Sequence, residues 1–116
     1  QTYADYLAAQ WAPAAVPLLP ASQRAVAAAQ GDAAAAQAVK GIEDPLSRLV
    51  AAGVLFKAGR ASPEVIALAV DTASAQGWRR PLMAWLGVQL QRAEQAGATD
   101  EAARIRRRLA LVQGER

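Results

Sequence analysis

The sequence predicts an all-α domain, and three observations support that prediction. No segment shows the sustained two-residue alternation of β-branched residues that is typical of a strand. Ala, the strongest helix former, supplies 31 of the 116 residues. Capping residues stand just before apolar segments of helical period at several points. We therefore expect five to seven short helices packed as successive antiparallel hairpins, in a repeat-like array or an irregular bundle.

Residues 1–20 are predicted to form an amphipathic helix and a Pro-rich connector, followed by a single α-helical hairpin domain over residues 21–116. Thr2 is a candidate N-cap for the first helix. Three prolines between residues 13 and 20 favour extended geometry in the connector. The first helix carries one apolar stripe of helical spacing, which consists of Tyr3, Tyr6, Leu7, Gln10 and Trp11.

Residues 22–40 are Ala-rich and allow two interpretations. In the first, Ser22 caps a short helix that ends at Gly31, and Asp32 caps a second, antiparallel helix that reaches about Lys40. In the second, one long helix continues through Gly31, at a cost of about 1 kcal/mol relative to Ala at that position.

The next two helix starts carry the strongest local signals. Asp44-Pro45 and Ser62-Pro63 each put a capping side chain before a proline, whose missing N–H costs nothing at the first helical position. The helix from Pro45 should stop near residues 58–59 and have one buried face, with Arg48 and Ala52 turned away from it. That face is predicted to comprise Leu46, Leu49, Val50, Gly53 and Phe56.

The helix from Pro63 should be buried over more than half its circumference, and should therefore lie between neighbouring helices until Gly77 ends it. A helix near Pro81 is apolar on nearly every side and should be central; Gly97 ends it, and Thr99 caps the last helix. The predicted core consists of Leu49, Val50, Phe56, Ile66, Val70, Leu82, Trp85, Leu86, Leu90, Ile105 and Leu109.

Two hairpin turns resemble those of tetratricopeptide repeats. Gly31 is followed five residues later by Ala36, and Gly97 by Ala102, as at the turn and second-helix start of such repeats. The two glycines are 66 residues apart, close to two repeats of about 34 residues. The resemblance covers parts of 22–40 and 82–112, and it implies a helical-hairpin architecture of the kind used to bind other proteins.

The residue content argues against several kinds of chemistry. The chain has no Cys and no His, which excludes His-based and thiol catalysis, zinc fingers and most transition-metal sites. We expect no enzyme activity, no metal and no cofactor. A Ser–Lys site at Lys40 or Lys57 and an acid–base pair at Glu43 and Asp44 are the catalytic alternatives. A deep pocket with convergent carboxylates of shifted pKa, near Glu43 or Asp71 for instance, would favour an enzyme.

Positive charge is concentrated in the last third of the chain. Residues 79–116 carry eight basic and four acidic side chains, whereas residues 1–78 carry five and six. Arg104, Arg107 and Arg108 project along the outer face of the last helix, where they complement its macrodipole. Asp100 and Glu101 are spaced to pair with Arg104. An anion-binding surface for nucleic acid or anionic lipid is the alternative function, although nucleic-acid-binding modules usually carry more basic charge and aromatic stacking residues.

Two groups of residues are candidates for binding a partner protein. Tyr3, Tyr6 and Trp11 lie on the first apolar stripe, which could equally dock on the core. The second group is Trp78, Arg79 and Arg80, in the turn between the two most apolar helices; Trp and Arg dominate interface hot spots. A structural role for Trp78 is the competing hypothesis, since the residue after a helix-ending glycine often packs back on the helix.

We therefore expect a small, non-enzymatic interaction module, an adaptor or accessory protein whose partner is another protein or a peptide. The abundance of Ala and Arg suggests a bacterial source. Because residue 1 is not Met, either a cleaved signal peptide or a fragment boundary precedes it, and a periplasmic or secreted location is favoured over the cytoplasm. No apolar run approaches the ~20 residues of a transmembrane helix.

Overall fold

The structure, a computed structural model, describes residues 29–114. This part of the chain forms five α-helices and contains no strand, as the sequence predicts. The helices are α1 (Asp32–Lys40), α2 (Pro45–Lys57), α3 (Pro63–Gln76), α4 (Arg79–Gln95) and α5 (Thr99–Gly114).

The two predicted proline-marked helix starts are confirmed. The Asp44 carboxylate accepts hydrogen bonds from the backbone N–H of Ser47 at 2.8 Å and from its hydroxyl at 2.6 Å. At the start of α3, the Ser62 hydroxyl accepts from the backbone N–H of Val65 at 3.3 Å. Each cap satisfies an N–H that the first turn of a helix leaves without a partner.

Helix α3 ends in a Schellman motif, whose central glycine is in the left-handed region. Gly77 has φ 71° and donates its N–H to the carbonyl of Ser74, while Trp78 donates to the carbonyl of Ala73. The same pair of bonds ends α2 at Gly59 and α4 at Gly97. Three consecutive helices thus stop where a glycine permits a positive φ.

The sequence predicts Asp32 as the N-cap of α1, but the helix begins one residue earlier, at Asp32 itself. Gly31 occupies the N-cap position with φ 84° and ψ 163°, and its carbonyl accepts from Ala35, so Asp32 is the first helical residue instead of the cap. Residues 29–31 are not helical, and therefore no continuous helix passes through Gly31. Thr99 is likewise the first residue of α5, since Ala102 donates to the carbonyl of Ala98.

Consecutive helices from α2 onward pack against one another, and α1 packs against both α2 and α3. Helix α3 therefore lies against α1, α2 and α4, which confirms the prediction that it is enclosed by neighbours. Helix α4 lies between α3 and α5.

The predicted core residues are all buried except Phe56 and Leu90, which are half-buried against the core. Trp85 is the largest fully buried side chain. Its ring meets that of Phe56 edge-to-face, with centroids 6.0 Å apart and an interplanar angle of 80°. This contact links α2 to α4, two helices whose backbones do not pack directly.

The prediction of a single buried face on α2 is wrong. Leu46 is 50% exposed, whereas Ala52, expected on the outer side, is fully buried. Burial runs almost continuously from Leu49 to Leu55. Because Ala and Gly occupy little space, neighbouring chain segments can approach α2 on several sides. A prediction based on one apolar stripe therefore underestimates how many residues of α2 are buried.

Candidate functional site

Trp78 lies at the corner where α3 ends and α4 begins. Its backbone N–H completes the Schellman motif of α3, and its carbonyl accepts the first helical hydrogen bond of α4, from Leu82 at 2.9 Å. Its side chain is half-buried against the core. Trp78 therefore packs back on the fold, as residues after a helix-ending glycine commonly do, although the residue is not fully buried.

Arg79 joins this corner to the far end of the chain. Its Nε donates to the carbonyl of Val112 at 3.0 Å, and its terminal nitrogen donates to the carbonyl of Gln113 at 2.7 Å. These carbonyls belong to the last turn of α5, whose carbonyls have no partners within the helix and carry partial negative charge. The start of α4 and the end of α5 are thereby held side by side.

Arg80 and Leu111 add two exposed groups near the same corner. Arg80 is exposed and makes no side-chain hydrogen bond or ion pair with residues 29–114, and neither does Asp71, which could have paired with it. Leu111 is 73% exposed and immediately precedes Val112, the acceptor for Arg79. Sequence analysis missed Leu111; the available signal was its spacing of four from the exposed Arg107, which puts the two side chains next to each other on α5.

The arginines of α5 differ in their surroundings. Arg106 pairs with Glu94 of α4 at 2.6 Å. Arg104, Arg107 and Arg108 are exposed and form no ion pair with residues 29–114, so the expected pairing of Arg104 with Asp100 or Glu101 does not occur.

Two of these arginines line a shallow hollow between α4 and α5. Its volume is about 270 Å³, and its lining consists of Gln89 from α4 and Glu101, Arg104, Ile105 and Arg108 from α5. Arg107 does not line it. Arg104 and Arg108 therefore differ from Arg107 in their surroundings, although none of the three has an ion pair within residues 29–114.

A second hollow, of about 330 Å³, lies beside α2 and α3 and brings Glu43 and Asp71 to one surface. Arg48 also lines it, and donates to the carbonyls of Ile42 at 2.9 Å and Lys40 at 3.3 Å and to the Thr72 hydroxyl at 3.4 Å. Asp44 does not line it, because its carboxylate caps α2. Glu43 thus shares this hollow with Asp71 and not with Asp44, with which the sequence hypothesis paired it.

Among residues 29–114, Arg48 is one of four arginines whose guanidinium groups donate to backbone carbonyls. Arg60 donates to Ala29, and Arg92 of α4 donates to Ala61 at 2.8 Å, in the loop between α2 and α3. Arg79 is the fourth. These bonds were not predicted, since the acceptors lie 31 or more residues away for Arg60, Arg79 and Arg92.

Three of the predicted partner-binding residues, Tyr3, Tyr6 and Trp11, lie outside the described residues.

Within residues 29–114, no three acidic side chains cluster closely enough to form a metal site. No helix of this part is long and apolar enough to cross a membrane.

Comparisons with protein-family models, curated proteins and solved structures found no match to this chain. The function must therefore be argued from the surfaces of the chain itself.

Proposed function

We propose that this chain is a small protein-interaction module, an adaptor or accessory domain, which binds another protein at the corner defined by Trp78, Arg79 and Arg80. The observation that carries the proposal is the combination, at one corner, of an exposed Arg80 with no partner among the described residues and a Trp78 that is only half-buried. Trp and Arg contribute most to interface energies when a partner desolvates them.

Two further features support this corner as the contact surface. Arg79 fixes the end of α5 beside it, so the corner is held in place by hydrogen bonds and needs little ordering on binding. Leu111 offers an exposed apolar side chain on the neighbouring turn. A rigid corner with one aromatic, one apolar and one cationic group suits a peptide or a helix of a partner protein.

The same proposal includes the finer architecture, an array of successive helical hairpins of the tetratricopeptide type. Helices α2 to α5 each pack on the next, and three of them end at a left-handed glycine. Stacked hairpins expose a groove and helix ends on which a peptide or a helix of a partner protein can bind.

We further propose that the module acts by binding and has no catalytic activity of its own. Within residues 29–114, the hollow at Glu43 and Asp71 is the one described site that brings two carboxylate residues to one surface. Arg48, its one cation, already donates to two backbone carbonyls and to Thr72, and therefore holds the fold together. Both Glu43 and Asp71 are exposed to solvent, unlike the partly buried carboxyl groups of most general acids.

Affinity capture from the source organism followed by direct binding of the purified partner tests the proposal. The baits are the wild-type chain, Trp78→Ala, Arg80→Ala and Arg107→Ala; the last removes another exposed arginine that has no ion pair among the described residues and is not one of the three residues that define the corner. A partner that binds wild type and Arg107→Ala, and binds Trp78→Ala and Arg80→Ala at least about tenfold more weakly, supports the assignment. Equal binding by all four folded baits contradicts it. The melting temperature of each bait shows whether weaker binding comes from a lost contact with the partner or from a loss of the folded state.

The Arg-rich helix favours one alternative function, an anion-binding module for nucleic acid or anionic lipid. Arg104, Arg107 and Arg108 are exposed and unpaired within the described part of the chain, which is the observation in its favour. Binding to mixed-sequence DNA or to anionic vesicles should then weaken steeply with salt, and the salt dependence should become shallower when these arginines are replaced by Ala.

A further inference from the structure

We propose that the hollow between α4 and α5 receives a carboxylate side chain from an acidic segment of the partner protein. This inference rests on the proposed function, that the chain binds another protein, and it specifies the chemistry of that partner. It adds a second contact on α5, distinct from the corner at Trp78.

Five of the nine arginines in residues 29–114 make hydrogen bonds or ion pairs within the fold, and the hollow contains two that do not. Within residues 29–114, four arginines donate to backbone carbonyls, and Arg106 is paired with Glu94. Arg104 and Arg108 have no such bond. They are four residues apart on α5, so their guanidinium groups are neighbours on one side of the helix, and both line the hollow.

The lining favours a carboxylate over a polyanion. Guanidinium groups bind carboxylates through paired, charge-assisted hydrogen bonds, and the Gln89 amide can donate a further one. Glu101 lines the same hollow and opposes the two arginines, which leaves only one excess positive charge. No aromatic ring lines the hollow, so it lacks the stacking partners with which proteins hold nucleobases.

The charge of this region favours an acidic segment as the occupant of the hollow. The hollow lies in the part of the chain, residues 79–116, where basic side chains outnumber acidic ones eight to four. An acidic segment approaching this region is attracted over several ångströms, and one of its carboxylates can enter the hollow over the apolar side chain of Ile105.

Fluorescence anisotropy with a labelled synthetic peptide tests the inference. The probe is a helical Ala-based peptide with Glu at every fourth position, and its control carries Gln at the same positions. The full chain is compared with three variants of equal charge change, Arg104→Gln, Arg108→Gln and Arg107→Gln. The first two should weaken binding of the Glu peptide by about three- to fivefold each, and Arg107→Gln by less than twofold. Glu101→Gln should strengthen binding.

Equal losses for all three arginine variants would overturn the inference, because they would show a diffuse charge effect. Equal affinity for the Gln peptide, or an absence of binding by the Glu peptide, would overturn it as well. Tighter binding of a mixed-sequence single-stranded DNA, lost in the same two variants, would assign the hollow to nucleic acid instead. The proposed function is judged separately, since capture of a partner that depends on Trp78 and Arg80 stands or fails whatever the peptide does.

Discussion

Arg79, the first residue of α4, donates its Nε–H to the carbonyl of Val112, 33 residues along the chain, at 3.0 Å. A helix start is a poor place for a cation, because the helix dipole is positive there. Here the end of α5, which is negative, lies beside it, and the guanidinium also donates to Gln113. The position of Arg79 is therefore explained by the neighbouring helix and not by its own.

Arg79→Ala should loosen the last turn of α5. The variant loses two hydrogen bonds at an exposed site, and we expect the free energy of unfolding to fall by roughly 0.5–1 kcal/mol. Amide exchange should accelerate most in the last turn of α5. Arg80→Ala, which removes a neighbouring arginine without a described partner, is the matched control and should change stability little. Equal exchange in the two variants would contradict the role of Arg79.

Two glycines should respond to alanine in opposite directions. Gly53 is buried within α2, and a Cβ added there meets nothing within 4 Å, so Gly53→Ala should raise the free energy of unfolding by about 1 kcal/mol. Gly77 has equally open surroundings but φ 71°, so Gly77→Ala should lower it by about 1–2 kcal/mol through backbone strain. Urea unfolding of both variants measures the difference. Changes of the same sign would show that backbone conformation is not the deciding factor.

Local signals predicted the fold because they act within a few residues. The Asp44 cap, the Ser62 cap and the glycine at residue 77 each bond to backbone three or four residues away, and the sequence displays such spacings directly. Burial was predicted less well where packing surrounds a helix: Leu46 and Ala52 of α2 were assigned to the wrong sides.

The candidate site was only partly predictable, for a different reason. The arginines that bond distant carbonyls, such as Arg79 and Arg92, and the hollow at Arg104 and Arg108 all depend on which helices are neighbours. A helical period shows that Arg104 and Arg108 share a face, but not that Gln89 lies opposite. Sequence alone therefore could not separate the arginines that support the fold from those without a bond in the described part of the chain.

Arg48 should be irreplaceable by Lys. Its three nitrogens donate to the carbonyl of Lys40 at the end of α1, to the carbonyl of Ile42 and to the Thr72 hydroxyl of α3, a fork that one ammonium group cannot reproduce. We expect Arg48→Lys to lower the free energy of unfolding by about 1–2 kcal/mol, because the partly buried Ile42 carbonyl and the buried Thr72 hydroxyl lose a partner. Arg107→Lys, at an exposed position without such bonds, should change it by less than about 0.5 kcal/mol. A similar loss in both variants, measured by urea unfolding, would refute this role.

The cap of α2 should make stability depend on pH in the acid range. The two hydrogen bonds from Ser47 hold the pKa of Asp44 below its ordinary value of 3.8. A carboxyl group whose pKa is lower in the folded chain contributes its full stabilisation above the unfolded pKa and loses it as the pH falls through the folded pKa. Asn is also an N-cap but does not titrate. The stability advantage of wild type over Asp44→Asn should therefore be constant from pH 7 to about pH 5 and shrink below about pH 4.

The control is Ser62→Ala, which removes the non-titrating cap of α3. Its free energy of unfolding should be about 1 kcal/mol below that of wild type, and this difference should be the same at pH 7 and at pH 3. Urea unfolding of the three proteins across this range measures both effects, and a constant difference between wild type and Asp44→Asn would show that the Asp44 carboxylate does not act through its charge.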